Sequence, residues 1–342
     1  MKSEIDIVFA ILRAALQGEK AELPVMETQQ WWSVFKLMQR NHVAALTADV
    51  AAASTMPREV KLPWLAERDK AVRWYRYQLD VQNDIIGIMR KHGIETLVLK
   101  GTHTAQYYPQ PELREFGDLD LYFYDKHAEA DRVASEMLQV TVGNDAHHHS
   151  KYNFRGVTVE SHYDFLNTHY PPSNRRYEAL LKKLAPTPTF EVLFLIRHMA
   201  GHFAASRITL RDLVDWALTC QTLHDKVDWQ LVEKTIEDYG MTEFVATLNT
   251  IAHNRLGGFL KLPDSLSCCP VDSLSQKLER DIVYGSIDDH ANDGIDRLVW
   301  KLRRWRALAW KRRMVYSDSP MALWFSSLSS HAEKPQSFLH KQ

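Results

Sequence analysis

Apolar residues recur at helical spacing in "IDIVFAILRAAL" and again in "WWSVFKLMQRNHVAALTADVAAA", so residues 1–92 read as mostly helical. A long helix is expected from about Pro63 to Lys91, closed by Gly93 just past its end. The pattern then changes. "IETLVL" (94–99) is short, apolar and rich in β-formers, the signature of a buried strand. "THTAQYY" predicts one or two helical turns, broken by Pro109 and Pro111. "DLDLYFY" (118–124) alternates polar and apolar, as a strand with one polar face does. "KHAEADRVASEML" returns to helical spacing. "HHHSKYNF" and "VTVESHYDF" predict a hairpin turning at Arg155-Gly156. After "YPPSN" (170–174) the chain is helical again, most clearly in "FEVLFLIRHMAGHF" and "LRDLVDWALTCQTL". "YPPSN" and "APTPT" are the candidate boundaries. The expected class is α+β: an N-terminal helical segment (1–92), a small sheet core (93–170) and a C-terminal helical domain (171–342).

Composition adds little to this picture except exclusions. The 342 residues are 45% hydrophobic and 25% charged, ordinary for a globular chain of one large or two smaller domains. A formal net charge of -1 argues against bulk attraction to nucleic acid or membrane. Cys220, Cys268 and Cys269 are odd in number and two are adjacent, which disfavours a disulfide framework or a zinc site. A reducing, cytoplasmic setting is expected. The N-terminal apolar run is short and interrupted by Glu4, Asp6 and Arg13, an amphipathic helix rather than a signal peptide. No apolar stretch reaches the roughly 18 residues of a membrane span, so no stable membrane insertion is expected.

The chemistry concentrates in "LVLKGTHTAQYYPQPELREFGDLDLYF" (97–123). Residues two apart on a strand face the same way, which sets Asp118 and Asp120 on one face, roughly 6.5 Å apart along the chain. Two ionised carboxylates this close repel, and a divalent cation such as Mg²⁺ removes the penalty. A lone Asp-x-Asp is more often a solvated strand face. Three further features lower that reading. Lys100, Gly101 and Thr102 stand at a strand-to-helix turn, where glycine lets the backbone approach a phosphate closely. Arg114 offers a rigid fork for phosphate oxygens, its bland alternative being a salt bridge to Glu112 or Glu115. Glu160 lies among apolar neighbours on a later strand and supplies a third acid. His162 and Asp164 share its face if the strand stays regular, which makes Asp164 a rival for that role.

Together these residues resemble the bacterial uncharacterised nucleotidyltransferase family, within the superfamily whose fold is the polymerase-β palm. The likeness rests on Leu99-Lys100-Gly101, Tyr107 to Pro111, Arg114, Gly117-Asp118-Leu119-Asp120-Leu121 and Val159-Glu160-Ser161-His162. It continues in "HMAGHF…ITLRDLVDWAL" (198–218) and spans roughly residues 25–225. Thr102 departs from the superfamily's usual Gly or Ser. The resemblance implies a small mixed-sheet, palm-like core and two-metal nucleotidyl transfer from a nucleoside triphosphate to an acceptor hydroxyl, with release of pyrophosphate. Asp118, Asp120 and Glu160 would hold two Mg²⁺ ions, with Mn²⁺ the alternative. Lys100, Gly101, Thr102 and Arg114 would bind the triphosphate, and Glu160 is a candidate proton acceptor. The acceptor is left open among a small molecule, a sugar, tRNA and protein. Toxin-like enzymes that modify tRNA or protein share this arrangement, and a non-catalytic nucleotide-binding module is the rival class.

Other features weigh less. His198 and His202, four apart on a helix, share a face. They are read first as a satisfied core pair, then as a face toward the cleft, and last as a zinc site, because "HMAGH" lacks the peptidase Glu. His147, His148 and His149 are read as strand and turn residues with weak metal potential. Arg211 and Asp215 predict an intrahelical ion pair, with Arg211 a further candidate for the cleft. "RLVWKLRRWRALAWKRRMVY" (297–316) interleaves Trp300, Trp305 and Trp310 with basic residues. It would suit RNA, an anionic surface or an acidic partner, but the preferred reading is a C-terminal helix that packs its tryptophans on the body with its charges in water.

Overall fold

The computed structural model describes residues 3–143, 148–258, 266, 273–285 and 295–333, of which 295–298, 301–302 and 328–333 are described by backbone alone. In chain order the elements are α1 (Glu4–Gln17), α2 (Thr28–Arg40), α3 (Ala44–Ala52), α4 (Arg58–Lys91), β1 (Leu97–Val98), α5 (Thr102–Ala105), β2 (Leu119–Tyr122), α6 (His127–Met137), β3 (His149–Phe154) and β4 (Val157–His162). There follow α7 (Asn174–Leu184), α8 (Pro188–Ala205), α9 (Leu210–Leu223), α10 (Trp229–Asp238), α11 (Thr242–Leu256), α12 (Ser273–Tyr284), α13 (Ile295–Ala307), α14 (Ala309–Val315) and α15 (Pro320–Glu333). The class is α+β, mostly helical with one small sheet. Contacts divide the chain into two units, Met1–Asp69 with Glu191–Ser317, and Lys70–Phe190 with Asp318–Gln342.

The first unit is helical. Ser3 and Asp6 form a capping box that starts α1, and Gly18 in the left-handed region ends it. Helix α1 buries Ile7, Val8, Ile11 and Leu12 against α3 and α11. Trp64 packs on Trp31 and Phe35, and its indole donates to the Ala44 carbonyl at 2.9 Å. This anchoring corrects the expected helix start. Helix α4 begins at Arg58 and runs through Pro63, because Val60 and Trp64 on either side of the proline are fully buried. A proline inside a helix costs about 3 kcal/mol or more, which those two side chains offset.

The basic, tryptophan-rich segment also belongs to this unit, broken into α13 and α14 at Leu308. The expected packing of tryptophans on the body is seen at Trp310, but the expectation that the charges stay in water is corrected by Lys311 and Arg312, which are buried. Trp310 meets Phe203 edge-on at 5.4 Å and the Lys277 ammonium at 3.9 Å, while Arg312 stacks 3.6 Å over Trp305. Lys311 is buried on Asp281 and the Ser206 carbonyl. Two of the segment's charges are therefore inside the protein. Cys220 is buried in α9, and Cys268, Cys269 and His147 lie outside the described residues. No described helix is long and apolar enough to cross a membrane.

The second unit holds a four-stranded mixed sheet in the order β1-β2-β4-β3. β1 and β2 are antiparallel, β2 and β4 parallel, and β4 and β3 antiparallel. The β3–β4 hairpin turns where expected. Arg155 (φ 51) and Gly156 (φ 80) both take positive φ, as a two-residue turn that matches strand twist requires. The predicted strand 94–99 shortens to Leu97–Val98, because Ile94 is still held by the end of α4 through its N–H on the Met89 carbonyl.

Strand alternation divides the sheet chemically. One face carries Leu119, Leu121, Tyr152, Val157 and Val159, which pack on Val81, Ile85 and Met89 of α4 and on Ala130, Val133 and Ala134 of α6. Asp131 of α6 lies under this face and accepts the hydroxyls of Ser150 (2.6 Å) and Ser161 (2.7 Å), so α6 is tied to β3 and β4 together. The other face is polar.

Candidate active site

The polar face is assembled by strand register. Asp120 of β2 pairs with Glu160 of β4, and Lys151 of β3 pairs with Glu160 from the other side. One row across three strands therefore reads Asp120, Glu160, Lys151. The next row reads Tyr122, His162, His149. Lys151 Nζ lies 3.1 Å from Glu160 Oε1, and Lys100 Nζ lies 3.1 Å from Asp120 Oδ1. His162 is buried between the acids, its Nε2 3.1 Å from Asp120 Oδ1 and 3.6 Å from Glu160 Oε2. Its Nδ1 is 3.3 Å from the Asp164 carbonyl oxygen.

These neighbours set the ionisation of the cluster. Burial pushes the Glu160 carboxyl up, but hydrogen bonds from His162 and Lys151 and the nearby His149 outweigh it and bring it down to about 2. Burial disfavours the His162 imidazolium, and hydrogen bonds to Asp120 and Glu160 overcome this and raise it. Asp118 is raised, by partial burial first and then by repulsion from Glu160 and Asp120, with Lys151 and Lys100 opposing. Burial drives His149 down to about 4 and His148 well below the usual imidazole range.

Asp118 stands apart from the expected three-carboxylate cluster. It precedes the first residue of β2, so the β2–β4 ladder does not hold it. Its side chain is half exposed, 3.8 Å from Lys151 Nζ. The compact metal-sized group is instead Asp120, Glu160 and His162, whose ligand atoms lie within 4.8 Å of one another. Asp164 does not share that face, because β4 ends at His162 and the Asp164 carboxylate turns to Lys182 at 2.6 Å.

The loops beside the acids are shaped by groups that sequence reasoning placed on a ligand. Gly101 takes φ 62 and ψ -113, a conformation that strains any residue with a Cβ. Its carbonyl accepts the Ala105 N–H at 3.0 Å and the buried Arg114 guanidinium at 3.3 Å. The Thr102 hydroxyl donates to Gln82 of α4. Trp74 and Gln78, on the same stripe of α4, donate to the carbonyls of Phe116 (3.2 Å) and Gly117 (2.5 Å). Trp74, Gln78 and Gln82 are spaced four apart, so one helix face pins both the turn at Gly101 and the approach to Asp118. That spacing was readable in the sequence. The partners of these residues were not.

His198, His202 and Arg211 belong to the first unit. The Nε2 atoms of His198 and His202 are 2.9 Å apart, and among the described residues they join no third ligand in a metal-sized group. Arg211 lies 3.5 Å from Asp212, whose carboxylate also caps α9 through Thr209.

The structure thus defines a mostly helical α+β protein whose sheet presents acids, lysines and histidines on a single face. Residues 27–257 match the family model described as Uncharacterised nucleotidyltransferase, and the chain belongs to that family. Membership carries nucleotidyl transfer as the general activity and a nucleotide as the substrate class. No curated protein and no solved structure matches the chain.

Proposed function

We propose that the protein transfers a nucleoside monophosphate from a nucleoside triphosphate to an acceptor hydroxyl, releasing pyrophosphate, with divalent ions bound at a palm-like site. The observation that carries this reading is the side-by-side pairing of Asp120 and Glu160 on adjacent parallel strands, with Asp118 two residues before Asp120. The donor set fits Mg²⁺, or Mn²⁺ in its place, because carboxylate oxygens suit hard cations, two acids meet on β2 and β4, and Asp118 stands two residues before Asp120. Asp118, Asp120 and Glu160 would hold the ions. Bound there, they would neutralise charge on the phosphates and on the attacking and leaving oxygens.

The chain's own groups supply the rest. Lys100 and Lys151 carry positive charge beside the acids and can turn to phosphate oxygens. Gly101 takes a positive φ that forms the turn, with Phe116 3.4 Å from where a Cβ would sit, and Arg114 braces that turn by holding its carbonyl. Thr102 is committed to Gln82, so it supports the turn. Glu160 is the candidate to accept the acceptor's proton. The acceptor itself remains one of four chemical kinds: a small molecule, a sugar, tRNA or protein.

The test is incubation of the purified protein with each α-labelled nucleoside triphosphate, Mg²⁺ and cell extract. Label should enter one fraction with stoichiometric pyrophosphate, and Asp120→Asn should abolish both. Nucleotide binding without pyrophosphate release from any of the four triphosphates would support the non-catalytic module instead. Full transfer by Asp120→Ala would refute the site assignment.

A further inference from the structure

Beside the carboxylates the structure gathers a second donor set that the transfer reading does not use. His148, His149 and His162 each place one ring nitrogen within 4.8 Å of the other two. The rings are close as well, with His148 and His149 centroids 4.6 Å apart, His149 and His162 5.1 Å, and His148 and His162 5.5 Å. Strand pairing enforces this proximity, because His149 of β3 is the register partner of His162 of β4. The backbone also folds His148 onto the same spot, its carbonyl accepting the N–H groups of Tyr163 (3.1 Å) and Asp164 (3.3 Å).

Two observations distinguish this cluster from a chance meeting of imidazoles. The Nδ1 atoms of both His148 and His149 are buried without a hydrogen-bond partner among the described residues. Burying a ring nitrogen without a partner is costly, and here it happens on adjacent residues. In addition, His162 Nδ1 lies 3.3 Å from the Asp164 carbonyl oxygen, which fixes the orientation of the ring, so a metal ion would take Nε2 in place of the proton it shares with Asp120. That backbone contact is the usual way a protein fixes a ligating histidine in one tautomer.

We propose that His148, His149 and His162 form a binding site for a borderline divalent transition-metal ion of the Zn²⁺ class, distinct in chemistry from the oxygen donors expected to take Mg²⁺. Imidazole nitrogen selects Zn²⁺, Co²⁺ and their neighbours, while carboxylate oxygen selects Mg²⁺. Three protein nitrogens leave a place for a further donor, as open three-ligand sites do. Two carboxylates border the cluster, Asp120 with Oδ1 3.1 Å from His162 Nε2 and Glu160 with Oε1 3.5 Å from His149 Nε2. His162 also belongs to the acidic group, so the two donor sets are contiguous and share one residue.

The experiment uses the full chain, stripped of metal and titrated with Co²⁺, Zn²⁺ and Mg²⁺ separately. Co²⁺ reports its own donors, because nitrogen-rich, low-coordinate Co²⁺ absorbs visible light far more strongly than Co²⁺ in six oxygens. The expected result is one equivalent of Co²⁺ with the intense nitrogen-type spectrum, displaced by Zn²⁺ and not by excess Mg²⁺. His148→Ala/His149→Ala should weaken Co²⁺ binding at least ~10-fold and remove the intense bands. The closer-shaped His148→Gln/His149→Gln variant, checked for an unchanged circular dichroism spectrum, guards against misfolding. Three results would overturn the site: no Co²⁺ or Zn²⁺ binding by the wild-type chain, a weak oxygen-type spectrum, or an intense spectrum that survives in the Gln pair. Nucleotide transfer is read separately, so this site and the transfer reaction stand or fall independently.

Discussion

Asp131→Ala tests whether the polar face is held from beneath. Asp131 accepts both Ser150 and Ser161 hydroxyls, and those serines are 2% and 0% exposed. Hydrogen bonds to a charged acceptor contribute ~1.5–3 kcal/mol each, and a buried hydroxyl left unpaired costs about 1–3 kcal/mol. Two such bonds are lost together, so the variant should lose about 3 kcal/mol locally even if one hydroxyl finds a new acceptor. Global melting suits this poorly, because the chain forms two units and need not unfold in one step. Native-state hydrogen exchange reads the strands directly. At 1.36 kcal/mol per tenfold, the β3 and β4 amides should exchange on the order of 100-fold faster. The Ser150→Ala/Ser161→Ala/Asp131→Ala combination should cost clearly less than the sum of Asp131→Ala and the serine pair, because replacing both partners by apolar groups is nearly neutral. Exchange within about threefold of wild type, or strict additivity, would refute the reasoning. Because Ser161 lies between Glu160 and His162, loosening it should also disturb the site face.

Asp120→Asn keeps the shape of the site but removes the anion shared by Lys100 and His162, so nucleotidyl transfer should fall at least ~100-fold, the upper range for loss of a mere outer partner of a metal ligand. Lys151→Met should raise the Glu160 carboxyl from about 2 toward its ordinary value, as a carboxyl-resolved NMR titration would show. A depressed carboxylate contributes stability above its unfolded value of 4.5 and loses it as pH falls toward 2, so the variant should be less stable above pH 4.5 and lose less on acidification; an unchanged stability difference between neutral and acid pH would count against Lys151. Gly101→Ala should destabilise by ~1–3 kcal/mol through its positive φ, while Gly117→Ala, with nothing within 4 Å of the added Cβ, should change the melting temperature little. An equal shift for both glycines would remove the argument from backbone strain.

What could be read in the sequence follows the range of the signal. The hairpin at Arg155-Gly156 was legible because turn chemistry and strand alternation are local. Glu160 stood out as a candidate third acid because an acid among apolar strand neighbours is unusual. Its register with Asp120 is non-local, set by the crossover through α6 and β3, and no pattern near either residue records it. The same limit hid Asp131 and Lys151, ordinary charged residues until the strands pair. Lys100 and Arg114 were readable as cations near a turn, but their present partners, Asp120 and the Gly101 carbonyl, come from tertiary packing. Pro63 misled because a local rule yielded to the burial of Val60 and Trp64.

The lysines of the polar face have a consequence for how ligands enter. Lys100 on Asp120 and Lys151 on Glu160 act as tethered counter-ions, so the acids are already balanced within the protein. Under the proposed reading, a divalent ion arriving there would make an exchange, releasing two ammonium groups. Mg²⁺ alone leaves them without anions, whereas Mg²⁺ carried on a triphosphate brings the phosphates that receive them. Cation and nucleotide uptake should therefore be cooperative, each strengthening the other by the same factor. Calorimetric titration of Mg²⁺ with and without a non-hydrolysable triphosphate measures that factor, and Lys100→Met/Lys151→Met should erase it while tightening the binding of the bare ion.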